Sequence, residues 1–101
     1  MTLLIIRMNV LSEKRMELSQ TIASLSSSTR KEKGCQRCDF CRSIEDENRF
    51  FLLEEWDTQE NLKKHLKSEH FKVIRGAMNL LQEPYEPMFH NVFHPEGMEK
   101  I

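Results

Sequence analysis

Three groups of side chains in this sequence have the types and spacing that chemistry requires, and the most compact of them is a run of cysteines. Cys35, Cys38 and Cys41 form a C-x-x-C-x-x-C run, which offers three soft ligands for zinc or an iron–sulfur cluster. A structural zinc site needs a fourth ligand, and without a second cysteine pair only His90 or His94 remains to complete it. We therefore expect ordinary or redox-sensitive thiols and no metal.

The second group is a pair of histidines, His65 and His70, five residues apart. The ordinary pKa of histidine lies near neutral pH, so either ring can act as a general base. Each also has a structural interpretation, in which the ring packs in the core or bonds to a backbone carbonyl. The spacing of the two histidines alone does not decide between the catalytic and the structural interpretation.

The third group consists of Arg7 and Asn9, two polar residues within the apolar stretch of residues 3–11, LLIIRMNVL. The two-residue period of a strand places both with Leu3 and Ile5 on one face, opposite a wholly apolar face. Buried polar side chains need partners, and a bound ligand can supply them. Arg7 and Asn9 are therefore candidates for contact with a ligand.

The first part of the chain should provide a strand and a helix. Residues 3–11 predict a central strand, and Ser12 is placed to cap an amphipathic helix of about four turns. The apolar stripe of this helix runs from Met16 to Leu25. Residues 26–33 are small and polar and then charged, which predicts the end of the helix and a mobile loop before Gly34.

A hairpin should follow. Residues 35–44 predict a strand in which Cys35 and Cys41 share one face and Cys38 lies on the other. A compact polar turn then leads to a second strand over residues 49–56, which ends at Trp56.

Two helices and a last strand complete the pattern. Asp57 or Thr58 caps the first helix, and Ser68 caps the second. Residues 88–94 predict the last strand, and residues 95–101 predict a loose tail.

The order β, α, β, β, α, β predicts an α+β fold of the ferredoxin-like type, an antiparallel sheet with helices on one face. The chain of 101 residues is the size of one domain, residues 1–101. The face without helices carries large apolar side chains that a monomer rarely leaves in water. A homodimer that pairs two such faces is the expected solution.

Composition excludes several classes of partner. Fifteen basic residues nearly balance 16 acidic ones without a basic stripe, which argues against nucleic acid. The apolar residues 3–6 are far too few to span a membrane, and this opening lacks the basic start and the cleavage site expected of a signal peptide. Three cysteines, an odd number, fit a reducing compartment, so we expect a cytoplasmic protein.

Four short motifs resemble the signature of the antibiotic biosynthesis monooxygenase family. They are Gly34-Cys35, Glu55-Trp56, His65-Leu66 and residues 68–71, Ser-Glu-His-Phe. The likeness extends over nearly the whole chain. It implies a dimeric α+β barrel, and the family's characterised members oxidise quinols, anthrones or haem, often with no metal or flavin.

Two branches of the family can be compared with this chain. In the haem-degrading branch a tryptophan stands where this chain has His65 and a haem-ligating histidine where it has Arg75, and only the strand-one asparagine is matched, by Asn9. The quinol monooxygenase branch carries histidines at positions that resemble His65 and His70. The resemblance therefore implies a monooxygenase that oxidises a small quinol- or anthrone-like aromatic with molecular oxygen and without a cofactor.

The resemblance also suggests a role for each candidate. His65 or His70 takes the phenolic proton of the substrate, with Asn9 as a further catalytic group. Asn9 and Arg7 hold the oxygen, and Trp56 with Phe50 stacks against the substrate ring; a core role for Trp56 remains open.

A second hypothesis comes from a different functional class. The same fold can serve as a non-catalytic dimeric module that binds a small aromatic ligand or senses redox state through its cysteines. A base with a perturbed pKa in a closed pocket favours the enzyme, whereas an open and wholly apolar cavity favours the binding module.

Overall fold

The protein is a four-stranded antiparallel sheet with a layer of helices on one face, and the computed structural model describes residues 1–92 of it. The strand order in the sheet is β2-β3-β1-β4. The predicted ferredoxin-like arrangement is therefore confirmed. Its elements are β1 (Thr2–Asn9), α1 (Arg15–Thr29), β2 (Cys35–Arg42), β3 (Arg49–Trp56), α2 (Gln59–Leu66), α3 (Glu69–Ala77) and β4 (Glu86–Asn91), with short 3-10 turns over Ser12–Lys14 and Met78–Leu80.

The core lies between the sheet and the helices because both central strands alternate strictly. In β1 and β3 every second residue is buried, and these residues face the helix layer. Burial of one large apolar side chain stabilises the fold by about 1.5–3 kcal/mol, so this face holds the sheet and helices together. The largest apolar members are Leu4, Ile6 and Met8 of β1, Leu52 and Trp56 of β3, Leu18 and Ile22 of α1, and Ile74 of α3.

Helix α1 has about the four turns predicted and ends at Thr29, within the segment predicted to contain its end, because its last serines and threonines do not break it. The hydroxyl of Ser26 donates to the carbonyl of Ile22 at 2.9 Å, and that of Thr29 donates to Leu25 at 3.2 Å. Both hydroxyls are thus satisfied within the helix while their side chains are buried, and the helix continues to Thr29. At the other end, the Ser12 hydroxyl accepts from Asn48 rather than capping the helix.

Strand β2 contains a register shift between Cys35 and Arg37. Cys35 lies opposite Trp56 and Cys38 opposite Glu54, so both cysteines face the helix layer, whereas Cys41 lies on the other face opposite Phe51. The prediction that Cys35 shares a face with Cys41 is wrong, because one extra residue in a strand reverses the alternation beyond it.

The caps of α2 and α3 follow the sequence closely. The backbone N–H of Asn61 donates to Thr58 Oγ1 at 3.1 Å, which makes Thr58 the cap of α2. The N–H of Phe71 donates to Ser68 Oγ at 3.2 Å, so a new helix begins at Glu69. Because each helix has its own cap, α2 and α3 can pack against the sheet at different angles.

The second face of the sheet, here called the open face, carries no helix within residues 1–92. It is built from Leu3, Ile5, Arg7 and Asn9 of β1, from Arg49, Phe51, Leu53 and Glu55 of β3, and from the residues of β2 and β4 paired with them. Strand β4 begins two residues earlier than predicted, and the predicted tail and His94 lie outside the described residues. No helix within residues 1–92 is long and apolar enough to cross a membrane.

Candidate functional site

His65 lies at the centre of a buried ionic network that we call the Glu32–His65–Glu54 network. Its Nδ1 lies 2.8 Å from Glu32 Oε2, and its Nε2 lies 3.0 Å from Glu54 Oε1. The side chains of His65 and Glu54 have no solvent exposure, and that of Glu32 is 23% exposed. A carboxylate therefore stands against each nitrogen of one enclosed imidazole.

Three separate segments bring these groups together. Glu54 sits between Leu52 and Trp56 on the helix-facing side of β3, where the two-residue period places it in the core. His65 is on the inward side of α2, and Glu32 belongs to the loop that joins α1 to β2. The network thus connects a loop, a strand and a helix.

The two carboxylates favour the protonated form of the His65 ring. Burial alone lowers the pKa of His65, but the hydrogen bond and charge of Glu54, together with those of Glu32, outweigh it and raise the pKa above its usual value. Nδ1 is within hydrogen-bond distance of Glu32, whereas Nε2, although 3.0 Å from Glu54 Oε1, has no well-aligned hydrogen bond and interacts with that carboxylate through charge. In the protonated form the ring has no lone pair with which to accept a proton from a substrate.

Aromatic rings enclose His65 on its remaining sides. Trp56 stacks on the imidazole with ring centres 4.7 Å apart, and Phe71 meets it edge-on at 5.3 Å. The Trp56 N–H donates to Glu54 Oε1 at 3.0 Å, so the indole is itself anchored to the network. This arrangement places Trp56 in the core, in contact with both His65 and Glu54.

A crevice opens between the helix layer and strands β1 and β4, and it consists of two adjoining cavities that share Leu66 and Phe89 as walls. The first has a volume of about 300 Å³ and is lined by Thr2, Gln59, Leu62, Lys63, Leu66 and Phe89. The second has a volume of about 200 Å³ and is lined by Leu4, Ile6, Leu66, Phe71, Arg75, Tyr85, Pro87 and Phe89. Apolar walls with a few polar groups are typical of small-molecule sites.

Arg75 supplies the positive charge of the second cavity. Its guanidinium carbon lies 5.4 Å from the centre of the Phe71 ring, and its Nη2 donates to the carbonyl of Leu66 at 3.1 Å. No carboxylate within residues 1–92 forms an ion pair with it. Its charge is therefore available to a ligand that carries a negative charge.

The predicted site residues do not gather in one place. Trp56 and Phe50 point into the core, where Phe50 stacks on Phe40 with ring centres 5.2 Å apart. Arg7 and Asn9 lie on the open face, on the opposite side of the sheet. The alternation of β1 against β3 separates these two pairs, so they cannot contact one small substrate within a single chain.

Asn9 and His70 also lie apart from the crevice walls. Asn9 donates to the Glu83 carboxylate and accepts from Arg49, so its amide is engaged within the protein. His70 is exposed at the start of α3, immediately before the crevice residue Phe71. The catalytic roles of these residues stay predictions.

Cys35 and Cys38 have the environment of unreactive thiols, whereas Cys41 is exposed. Burial raises the pKa of Cys38 to about 12, with a further contribution from Glu54, and burial also raises the pKa of Cys35. Thiolates are the reactive form, so neither is activated as a nucleophile. Within residues 1–92 no group of three histidine, cysteine or acidic side chains could hold a metal ion.

The sequence contained a signal for the network that our predictions did not use. Glu54 stands at an inward position of a strand between two large apolar residues, and a buried carboxylate requires a partner. His65, on the inward side of the next helix, was the obvious candidate. Glu32 carried no such signal, because it lies in a charged loop.

The protein is thus a ferredoxin-like α+β domain with an apolar crevice between its helices and its sheet. The chain belongs to the antibiotic biosynthesis monooxygenase family, whose sequence model matches residues 1–77. It is 31% identical over 75 residues to a Bacillus subtilis (strain 168) protein with the name "Putative monooxygenase YcnE", a match that covers 73% of this chain and 79% of that protein.

Solved structures support the fold. A Nitrosomonas europaea protein that carries the family name has a TM-score of 0.88 at 21% identity, covering 93% of this chain and all of that one. A conserved protein from Methanosarcina mazei Go1 has a TM-score of 0.84 at 28% identity, covering 88% of this chain and 89% of that one. The predicted family and fold class are both confirmed.

Proposed function

We propose that this protein is a cofactor-independent monooxygenase that oxidises a small quinol- or anthrone-like aromatic with molecular oxygen in the crevice. The observation that carries the proposal is an apolar crevice with the Arg75 guanidinium on its wall. Family membership and the name of the Bacillus subtilis relative support the class of reaction.

The chemistry balances without a further electron donor. An anthrone-type CH2 group loses one proton to give a carbanion. The carbanion transfers one electron to O2, and the resulting carbon radical and superoxide combine and take up a proton to give a hydroperoxide. Loss of water from the hydroperoxide leaves a C=O group, so one oxygen atom enters the product and the other leaves as water. The substrate supplies all four electrons, and the protein must promote the first deprotonation.

Arg75 is the group that we assign to this step. A guanidinium beside the substrate oxygen stabilises the anion, and the effect is strongest where apolar walls exclude water. The accessible candidate for the proton acceptor is His70, which lies outside the crevice walls on α3 and can therefore act on a bound substrate only through an intervening water. His65 is a poor acceptor, since a carboxylate occupies each of its nitrogens.

Oxygen uptake with a panel of hydroquinones and anthrones tests the proposal. We expect uptake well above the spontaneous rate, and we expect Arg75→Leu to lower kcat/KM about 100-fold, within the range for loss of one charged stabilising group. Lys72→Leu is the matched control, because Lys72 is an exposed cation on the same helix that pairs only with Glu69. No uptake above the spontaneous rate with any substrate would contradict the proposal.

A non-catalytic binding module is the second candidate. The observation in its favour is that no histidine within residues 1–92 lines either cavity of the crevice. Titration with 1-naphthol, an aromatic alcohol that cannot follow the anthrone route, separates the two. Saturable binding without oxygen uptake from any member of the panel would favour the module.

We also propose that a second copy of this chain covers the open face. Arg7 Nε is buried there without a hydrogen-bond partner, and Leu3, Ile5, Phe51 and Leu53 are only half-buried. Buried polar atoms are nearly always paired, and a partner surface can supply what this chain lacks.

Three free cysteines support the predicted reducing, cytoplasmic location.

A further inference from the structure

We infer that His65 is a positioning residue, held between Glu32 and Glu54, that fixes the Phe71 wall of the crevice. The inference rests on the proposed use of the crevice as a ligand site. It gives the Glu32–His65–Glu54 network a function that the proposed oxidation does not assign.

The first step is the enclosure of the network. His65 is 1% exposed and Glu54 is fully buried, and only Glu32 reaches solvent. Groups of this kind are costly to bury unless they are paired. Their presence in the core of a small domain calls for a role beyond packing.

The second step is the charge around the ring. Glu54 of β3 and Glu32 of the α1–β2 loop face His65, and the neighbouring α3 presents the uncharged Phe71. The thiols of Cys35 and Cys38 on β2 lie near Glu54 but are neutral, because burial raises the pKa of each. Within residues 1–92, the His65 ring is therefore the one cationic group that contacts both carboxylates.

Arg30 completes the set of charged groups near the network. Its Nε donates to the backbone carbonyl of Cys38 at 2.8 Å, so it holds β2 and forms no ion pair with Glu32 or Glu54. Deprotonation of His65 would leave two carboxylates on either side of a neutral ring without a compensating cation. The network should then loosen.

The third step is the path from the network to the crevice. His65 meets Phe71 edge-on at 5.3 Å, and Phe71 lines the second cavity. Arg75 lies over the same Phe71 ring and donates to the carbonyl of Leu66, so a displacement of Phe71 should also move the guanidinium charge. Leu66, which follows His65 in the chain, lines both cavities.

The direction of the pH effect follows from the charges. The pKa of His65 is raised in the folded protein, so the network is intact below the ordinary histidine value of about 6.5 and is lost as pH rises through the folded-state pKa. Phe71 and the crevice should follow the same titration.

NMR spectroscopy of the ligand-free protein tests the inference directly. We expect both ring nitrogens of His65 to carry protons at pH 7, and the ring signals of Phe71 to shift with the midpoint of the His65 titration. Glu32→Gln should lower the proton affinity of His65 at least tenfold, and with it the midpoint of the titration, because it removes one of the two carboxylate charges that stabilise the imidazolium. Glu32 is the chosen position because its partial exposure makes the variant easiest to fold.

Glu17→Gln is the matched control, since Glu17 is an exposed carboxylate of α1 that pairs only with Lys14. It removes the same charge and should leave the midpoint unchanged. The dissociation constant of 1-naphthol should rise about fivefold or more in Glu32→Gln at pH 7.5 and stay constant in Glu17→Gln. A merely structural role for His65 would not link the Phe71 signals to its titration.

Two results would overturn the inference: a single protonated ring nitrogen at pH 7, or Phe71 signals that do not follow His65. Oxygen uptake plays no part in these measurements. If Phe71 follows His65 but the protein oxidises no substrate, the proposed function fails and the positioning role stands.

Discussion

Two glycines give opposite predictions at the scale of single residues. Gly34 has a φ of +89°, and a Cβ there would lie 2.4 Å from Asp57 Oδ1 and 2.5 Å from Asn61 Nδ2. We expect Gly34→Ala to lower the free energy of unfolding by about 2 kcal/mol or more, because the backbone and the neighbours both resist it. Chemical denaturation measures the change.

Gly76→Ala is the matched control for that prediction. A Cβ at Gly76 meets nothing within 4 Å, and the residue lies inside α3. Alanine should therefore raise the free energy of unfolding by about 1 kcal/mol through helix propensity alone. Equal effects of the two substitutions would contradict this account of Gly34.

Cys38 should resist alkylation in the folded protein. With a pKa of about 12, roughly one Cys38 thiol in 10,000 is a thiolate at pH 8, whereas an ordinary cysteine is substantially ionised there. Labelling with N-ethylmaleimide, followed by mass spectrometry, should be about a thousandfold slower for folded than for unfolded Cys38. Similar rates in buffer and in urea would show that burial does not protect this thiol.

Individual residues show how much of the candidate site could be predicted from the sequence. The separation of Arg7 from Leu4 and Ile6 follows from alternation and is observed, whereas the position of Trp56 on the opposite side of the sheet from Arg7 and Asn9 was not predicted. The partners of His65 could not be predicted as a set, because Glu32 is distant in sequence and reaches the ring only through the packing of a loop. Pairing of buried charges depends on that tertiary geometry.

The N-terminal caps give a prediction at the scale of elements. Thr58→Ala and Ser68→Ala each remove the acceptor for an otherwise unpaired backbone N–H, and each should cost about 1 kcal/mol of unfolding free energy. Ser27→Ala is the control, because Ser27 is exposed within α1 and should change stability by only a few tenths. A cap variant as stable as the Ser27 variant would exclude a capping role.

Element boundaries reveal which physical effects the sequence leaves undecided. The order of strands and helices and the caps of α2 and α3 follow from local patterns, and both were predicted. The position of the end of α1 at Thr29 depends on hydroxyls that bond within the helix, and the face of Cys35 depends on a bulge in β2. In both cases burial against a neighbouring element outweighs local preference.

The open face raises the question of how the whole molecule hides its apolar surface. Leu53, Ile5 and Met88 form a row across β3, β1 and β4, and Met88 is 40% exposed. The next row, Phe51, Arg7 and Glu86, places a cation and a carboxylate beside an aromatic ring. Such a surface suits a partner with apolar and charged groups of its own, and a second copy meets that requirement.

Leu53→Lys should therefore separate the dimer into single chains. Leu53 lies at the centre of the open face, where a lysine would bury its ammonium group against apolar side chains of the second copy. Sedimentation should show twice the chain mass for the unchanged protein and the single-chain mass for the variant, with the same far-UV circular dichroism. Val73→Lys, on the exposed side of α3 where Val73 is 51% exposed, should remain a dimer. A single-chain mass for the unchanged protein, or a dimeric Leu53→Lys variant, would mean that something other than a second open face covers this surface.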